Sequence, residues 1–152
     1  MENPIWLFVI AAYIAVIGIF IAYKPIVASF EKRVLDKERV TQDNFQKEVT
    51  RFFIKVPIIE IVPIFLVIFG FIQLDEVQGT GQFSDVVVPF ALVMVVLLFT
   101  IVKVISMRGR IASISDIDNQ SKNYINTLTF ISISLLSALP IISIVAMILF
   151  VS

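Results

Sequence analysis

The chain has 152 residues, of which 59% are hydrophobic and 16% charged, with a mean hydropathy of +0.99 and a formal net charge of zero. So much apolar surface does not fit inside one small soluble core, and a lipid bilayer is the implied surrounding. The balanced charge offers no pull on nucleic acid. The lack of cysteine and histidine removes disulfides, thiolate metal sites, thiol nucleophiles and imidazole acid–base chemistry.

About 20 apolar residues cross the hydrocarbon as a helix, and the sequence predicts four such spans, over 5–23, 52–74, 86–102 and 125–151. The first follows Glu2 and Asn3 rather than a basic cluster, and no small-x-small cleavage site comes after it, so it is expected to stay as a membrane helix. Trp6 and Tyr23, at its two ends, are expected to be interfacial anchors. Residues 30–40 are rich in helix formers, and Asp43 with Gln46 three positions on predicts an N-cap for a helix running to Leu74. Such a helix would be about 48 Å long and would leave the bilayer by roughly 12 Å or more.

Seven of the 12 Lys and Arg lie between 24 and 51, four lie between 103 and 122, Lys55 is just inside the second span, and none lies between 75 and 85. Cationic loops stay in the cytoplasm, so the first and third connections are expected there, with both termini and the second connection outside. The expected fold is an all-α, integral multi-pass membrane protein. Its four transmembrane helices would form two antiparallel hairpins with helical cytoplasmic extensions.

Sliding the chain by 77 residues brings Thr50, Phe53, Ile54, Pro63 and Ile64 onto Thr127, Phe130, Ile131, Pro140 and Ile141. This register predicts two related halves, 1–76 and 77–152. Within it Glu60 falls on Ser137, so the halves differ at the one costly position. An ionised carboxylate near a bilayer centre costs at least ~2.5 kcal/mol, so Glu60 needs a partner, a proton or a function. Lys55 is five residues away and about 140° around the same helix, too far round to neutralise it. Two readings of Glu60 stay open: a proton-binding group, or a register-fixing hydrogen bond to Ser137, Ser134 or Tyr13. The serines at 132, 134, 137 and 143 suit contacts between helices.

The stretch from Arg51 through Phe53-Ile54 to Glu60 and Pro63 resembles the outer, ion-binding helix of the ATP synthase c subunit, the rotor proteolipid, in which Phe-Ile precedes a carboxylate that is followed after two residues by Pro. Thr127 to Ile142, with Phe130-Ile131 and Pro140, resembles the same helix with serine in place of the acid. A duplicated hairpin lacking one carboxylate is similar to the fused proteolipids of vacuolar-type rotors. The resemblance implies a proton-binding Glu60 followed by Pro63, with release aided by an arginine on a neighbouring stator subunit, and a homo-oligomer or membrane complex; Pro63, Ser137, Pro140 and Tyr13 are the candidate neighbours of the site. Ile61 and Val62 follow the carboxylate where sodium-binding relatives place oxygen ligands, which favours a proton. No catalytic group, metal or cofactor is expected. The rival expectation is a non-transporting membrane scaffold whose charged helical tips recruit a cytoplasmic protein.

Overall fold

The computed structural model describes residues 3–152 and contains four helices: α1 (Ile5–Leu35), α2 (Gln42–Asp75), α3 (Phe83–Ala112) and α4 (Asn119–Val151), with no strand among the described residues. Each is long and apolar enough to cross a membrane. They contain 31, 34, 30 and 33 residues. At 1.5 Å per residue they measure about 45–51 Å, so roughly 15–20 Å of each extends past a hydrocarbon layer about 30 Å thick. The protein is an integral, multi-pass membrane protein.

Local chemistry sets the helix ends. α1 stops where Lys37 takes a left-handed conformation with φ 58°. There the Lys37 N–H donates to the Val34 carbonyl at 3.1 Å and the Glu38 N–H to the Arg33 carbonyl at 2.8 Å. This closes a Schellman turn in the position that glycine usually fills. α2 starts two residues before the sequence-based expectation: extended Thr41, not Asp43, is the cap, and its Oγ1 accepts the Asn44 N–H at 3.3 Å. Asp43 falls instead in the first turn, where its charge complements the helix dipole. At the start of α3 the Gln82 N–H donates to Asp85 Oδ2 at 2.9 Å, and the Asp85 N–H donates to the Gln82 carbonyl at 2.9 Å. Asp118 caps α4 by accepting the Ser121 N–H at 3.1 Å.

Helix ends recur at one interval: Leu35 and Ala112 end α1 and α3, Thr41 and Asp118 cap α2 and α4, and both pairs are 77 residues apart. Packing does not follow that interval. α1 lies against each of the other three helices, α4 against α1 and α3 with a slighter touch on α2, and α2 makes no close approach to α3. In cross-section the bundle is a rhombus with α1 and α4 on the short diagonal and α2 and α3 at the outer corners. α1 and α2 run in opposite directions: Phe8 near the start of α1 meets Phe71 near the end of α2, edge to face at 5.0 Å. At the other end of the pair Phe30 stacks on Phe45.

The outer corners present apolar side chains to the surroundings, among them Ile58, Phe65 and Ile72 on α2 and Val95, Phe99 and Val102 on α3. α1 adds a single exposed stripe of Trp6, Ile10, Ile14, Ile17 and Ile21. In water such a belt would aggregate, whereas in lipid it meets acyl chains. Tyr23 departs from its expected role as an interfacial anchor. It is fully buried on the α1–α4 diagonal with its hydroxyl 3.4 Å from the Thr129 hydroxyl, a partner that makes an interior position tolerable.

Candidate functional site: a carboxyl at the seam of the core

The buried core divides into two clusters. One, on the side of the charged connections, holds Val16, Val56, Val96 and Leu136. The other, toward the chain termini, holds Ala15, Val67, Val93 and Leu139. On α2 the break falls between Val56 and Val67 and brackets both Glu60 and Pro63. On α4 it falls between Leu136 and Leu139 and brackets Ser137. Tyr13 packs against both clusters. Glu60, Pro63 and Ser137 therefore lie within the break, with Pro140 just past it, and Tyr13 borders both clusters from α1.

Glu60 is half-buried and belongs to the inward stripe of α2, in step with buried Val56, Pro63, Val67 and Gly70. Spacings of three and four residues put these positions on one helix face. α1 comes close here: a methyl added to Gly18 would overlap Ile59 Cγ2, one residue from the carboxylate. α2 and α4 run parallel with Phe45 stacked on Tyr124 at 4.5 Å. Carried along both helices, that register sets Glu60 level with the 136–140 stretch of α4.

The hydrogen bonds that would make Glu60 a register pin are not present. The Tyr13 hydroxyl donates to the Leu92 carbonyl on α3 at 3.2 Å. Ser137 donates to the Ile133 carbonyl at 2.8 Å and Ser134 to the Phe130 carbonyl at 3.0 Å, both within α4. The three ion pairs among the described residues are Arg33–Glu38, Arg51–Glu48 and Arg110–Glu31, and none includes Glu60. Lys55 is exposed and borders the α1–α2 surface beside Pro25. Glu60 thus has neither a hydrogen-bond nor an ion-pair partner among the described residues.

Buried Pro63 and Pro140 flank this level. Proline has no N–H to give the carbonyl four residues earlier. The Ile59 carbonyl, next to Glu60, and the Leu136 carbonyl, next to Ser137, therefore lose their usual helical donors. Among the described residues no three acidic side chains lie close enough to share a metal ion.

Of the α4 serines only Ser143 reaches another helix, donating to the Phe8 carbonyl at 3.0 Å as well as to Leu139 within α4. Sequence reasoning also missed the tie at the charged end. There Ser121, fully buried, accepts the Val40 N–H at 3.0 Å and donates to Asp118, joining the first connection to the start of α4. Arg108 Nε donates to Asn126 Oδ1 at 2.7 Å between α3 and α4. The one available signal was Asp118 three residues before Ser121, an N-cap pattern. Comparison with family models, with curated proteins and with solved structures finds no match to this chain.

Proposed function

We propose that the protein is a proteolipid of the rotary-ATPase c-subunit type that binds a proton at Glu60. The observation that carries this reading is a single carboxyl on the inward face of an apolar helix, at the break between two core clusters, with no side-chain partner. Binding of a proton at Glu60 would neutralise the carboxyl that the apolar length of α2 carries, and so remove the cost of an ionised group at that depth. The Ile59 carbonyl freed by Pro63 is the acceptor nearest in sequence for the acid hydrogen. Release of the proton requires a stabilising charge, and the resemblance of 51–64 to the c-subunit helix points to an arginine on a neighbouring subunit, hence to a membrane complex or homo-oligomer. By the positive-inside rule the charged connections face the cytoplasm and the termini face outside.

The test is labelling of the membrane-embedded protein with a hydrophobic carbodiimide, read by peptide mass. Glu60 is expected to be the modified residue, more rapidly as pH falls, and Glu60→Gln is expected to abolish proton flux in liposomes reconstituted with the complete complex. Labelling independent of pH, or unchanged flux in the Gln variant, overturns the proposal.

The helical extensions favour a second reading. Stacking of Phe30, Phe45 and Tyr124 holds α1, α2 and α4 together beyond the bilayer, a rigid charged tip suited to recruiting a cytoplasmic protein. A scaffold of this kind would function normally with Gln at position 60.

A further inference from the structure

The surface between α1 and α2 carries two adjoining hollows that the Glu60 site does not use. The first, of about 290 Å³, lies at the charged end and is bordered by Ser29, Glu48, Arg51 and Lys55. The second, of about 480 Å³, continues toward mid-bundle between Gly18 and Ala22 on α1 and Ile58 and Ile59 on α2. Pro25 and Lys55 border both, so the hollows form one channel along the helix pair. Ala22 and Gly18, the latter packed under Ile59, wall the deeper part on α1. Pro25 removes one backbone hydrogen bond of α1 at the junction.

We infer that this channel is a binding site for one anionic glycerophospholipid, with its phosphate at Arg51 and Lys55 and one acyl chain lying along Gly18, Ala22 and Ile58. Charge and polarity divide along the channel as they do along such a lipid. The mouth has two cations against one carboxylate, Glu48, which already pairs with Arg51 at 3.5 Å. Arg51 still has free guanidinium donors, whose fork matches a phosphate. Lys55 stands one turn further in, where a long stem lets the ammonium reach the headgroup level while its methylenes border the apolar part. From Arg51 to Ile59 the helix rises about 12 Å, close to half of a hydrocarbon layer about 30 Å thick. A phosphate at the mouth therefore leaves its chain in the groove. A choline headgroup would bring its own cation to a mouth that is already net positive.

Basic pockets between transmembrane helices select anionic headgroups, and each Lys or Arg near the surface contributes roughly a fivefold change in affinity. The test uses the full chain in detergent micelles, with phosphatidylglycerol or phosphatidylcholine titrated in and retained lipid counted by native mass spectrometry. Phosphatidylglycerol is expected to be retained preferentially. Arg51→Gln and Lys55→Gln should each reduce that preference about fivefold, and Ile58→Trp, which fills the groove from its exposed wall, should reduce binding of both lipids. A phosphatidylglycerol with a photoreactive group on its acyl chain gives a readout without any variant: crosslinks should fall within 18–22 and 58–59. Equal retention of the two lipids, crosslinks spread evenly around the outer belt, or competition by glycerol 3-phosphate as effective as by the lipid overturns the inference.

Discussion

Gly18 of α1 faces Ile59 of α2 so closely that a methyl on the glycine would overlap the isoleucine Cγ2. Close approach of small residues is how membrane helices gain van der Waals contact without a hydrophobic driving force between them. The contact falls one residue before Glu60, so it also sets how near α1 comes to the carboxyl. Ile59 is branched at Cβ and has little rotamer freedom with which to yield. Gly18→Ala is expected to destabilise the protein by about 1–3 kcal/mol, the usual cost of overpacking. Ile59→Ala in the same chain should recover part of that loss. Denaturant unfolding in micelles, run as a double-mutant cycle, checks the coupling, and strict additivity would show that the contact is not shared.

Asp118 and Ser121 make the charged end sensitive to acid. The Ser121 hydroxyl holds the Asp118 carboxyl below its ordinary value against the opposing effect of desolvation, with smaller help from backbone N–H groups and the charge of Arg39. A carboxyl depressed in the folded state stabilises above its unfolded pKa, about 3.9 for aspartate, and that stability is lost as pH falls through the folded value. Stability, measured by unfolding from pH 6 downward, should fall below about pH 4 in the native chain. In Asp118→Asn the part of this loss due to Asp118 should vanish. Ser121→Ala should cost more, about 1–3 kcal/mol, because it also leaves the Val40 N–H without its acceptor in a buried place.

The four helices were legible because apolar runs of this length have one physical outcome in a bilayer, and Glu60 was legible as a charge within one of them. Helix ends were less so. Hydropathy falls at Lys103, yet α3 runs on to Ala112, because leaving the membrane does not interrupt backbone hydrogen bonding. Orientation was hidden for a different reason. Val56 and Val67 are buried while Ile58 and Phe65 face outward, and in lipid both faces of a helix are apolar, so no periodicity separates them. The partners of Tyr13 and Val40, Leu92 and Ser121, lie 79 and 81 positions along the chain. Only the packing of α1 against α3 and of the first connection against α4 brings such residues together.

Lys37 ends α1 in a left-handed conformation that a side chain adopts at a cost of roughly 1–2 kcal/mol. The turn needs the backbone shape and the two hydrogen bonds, neither of which uses the lysine side chain. Lys37→Gly is therefore expected to raise stability by up to about 1 kcal/mol, part of the gain being offset by the greater freedom of glycine when unfolded. Lys37→Val, β-branched at a position that disfavours branching, should lower it. Thermal unfolding of the two variants in the same detergent orders them, and a glycine variant less stable than the native chain would contradict the Schellman assignment.

Phe45 and Tyr124 stack at 4.5 Å with their rings 19° apart, in a part of the bundle where α2 and α4 otherwise touch only slightly. Phe30 stacks on the same Phe45 from α1 at 6.4 Å, so Phe45 is the shared member of a three-ring column at the charged end of the bundle. Aromatic pairs contribute about 0.5–1.5 kcal/mol beyond the area they bury. Phe45→Ala should therefore cost more than Tyr124→Ala, since it removes both contacts at once. The double variant should fall short of the sum by about 0.5–1.5 kcal/mol. A local readout separates this from general weakening: amide hydrogen exchange at 42–51 should speed up in Phe45→Ala while exchange near Glu60, held by Gly18 and Ile59, stays slow. Uniform acceleration along α2 would mean that the column and the membrane-embedded part open as one unit, and that the charged tip is not an independent element.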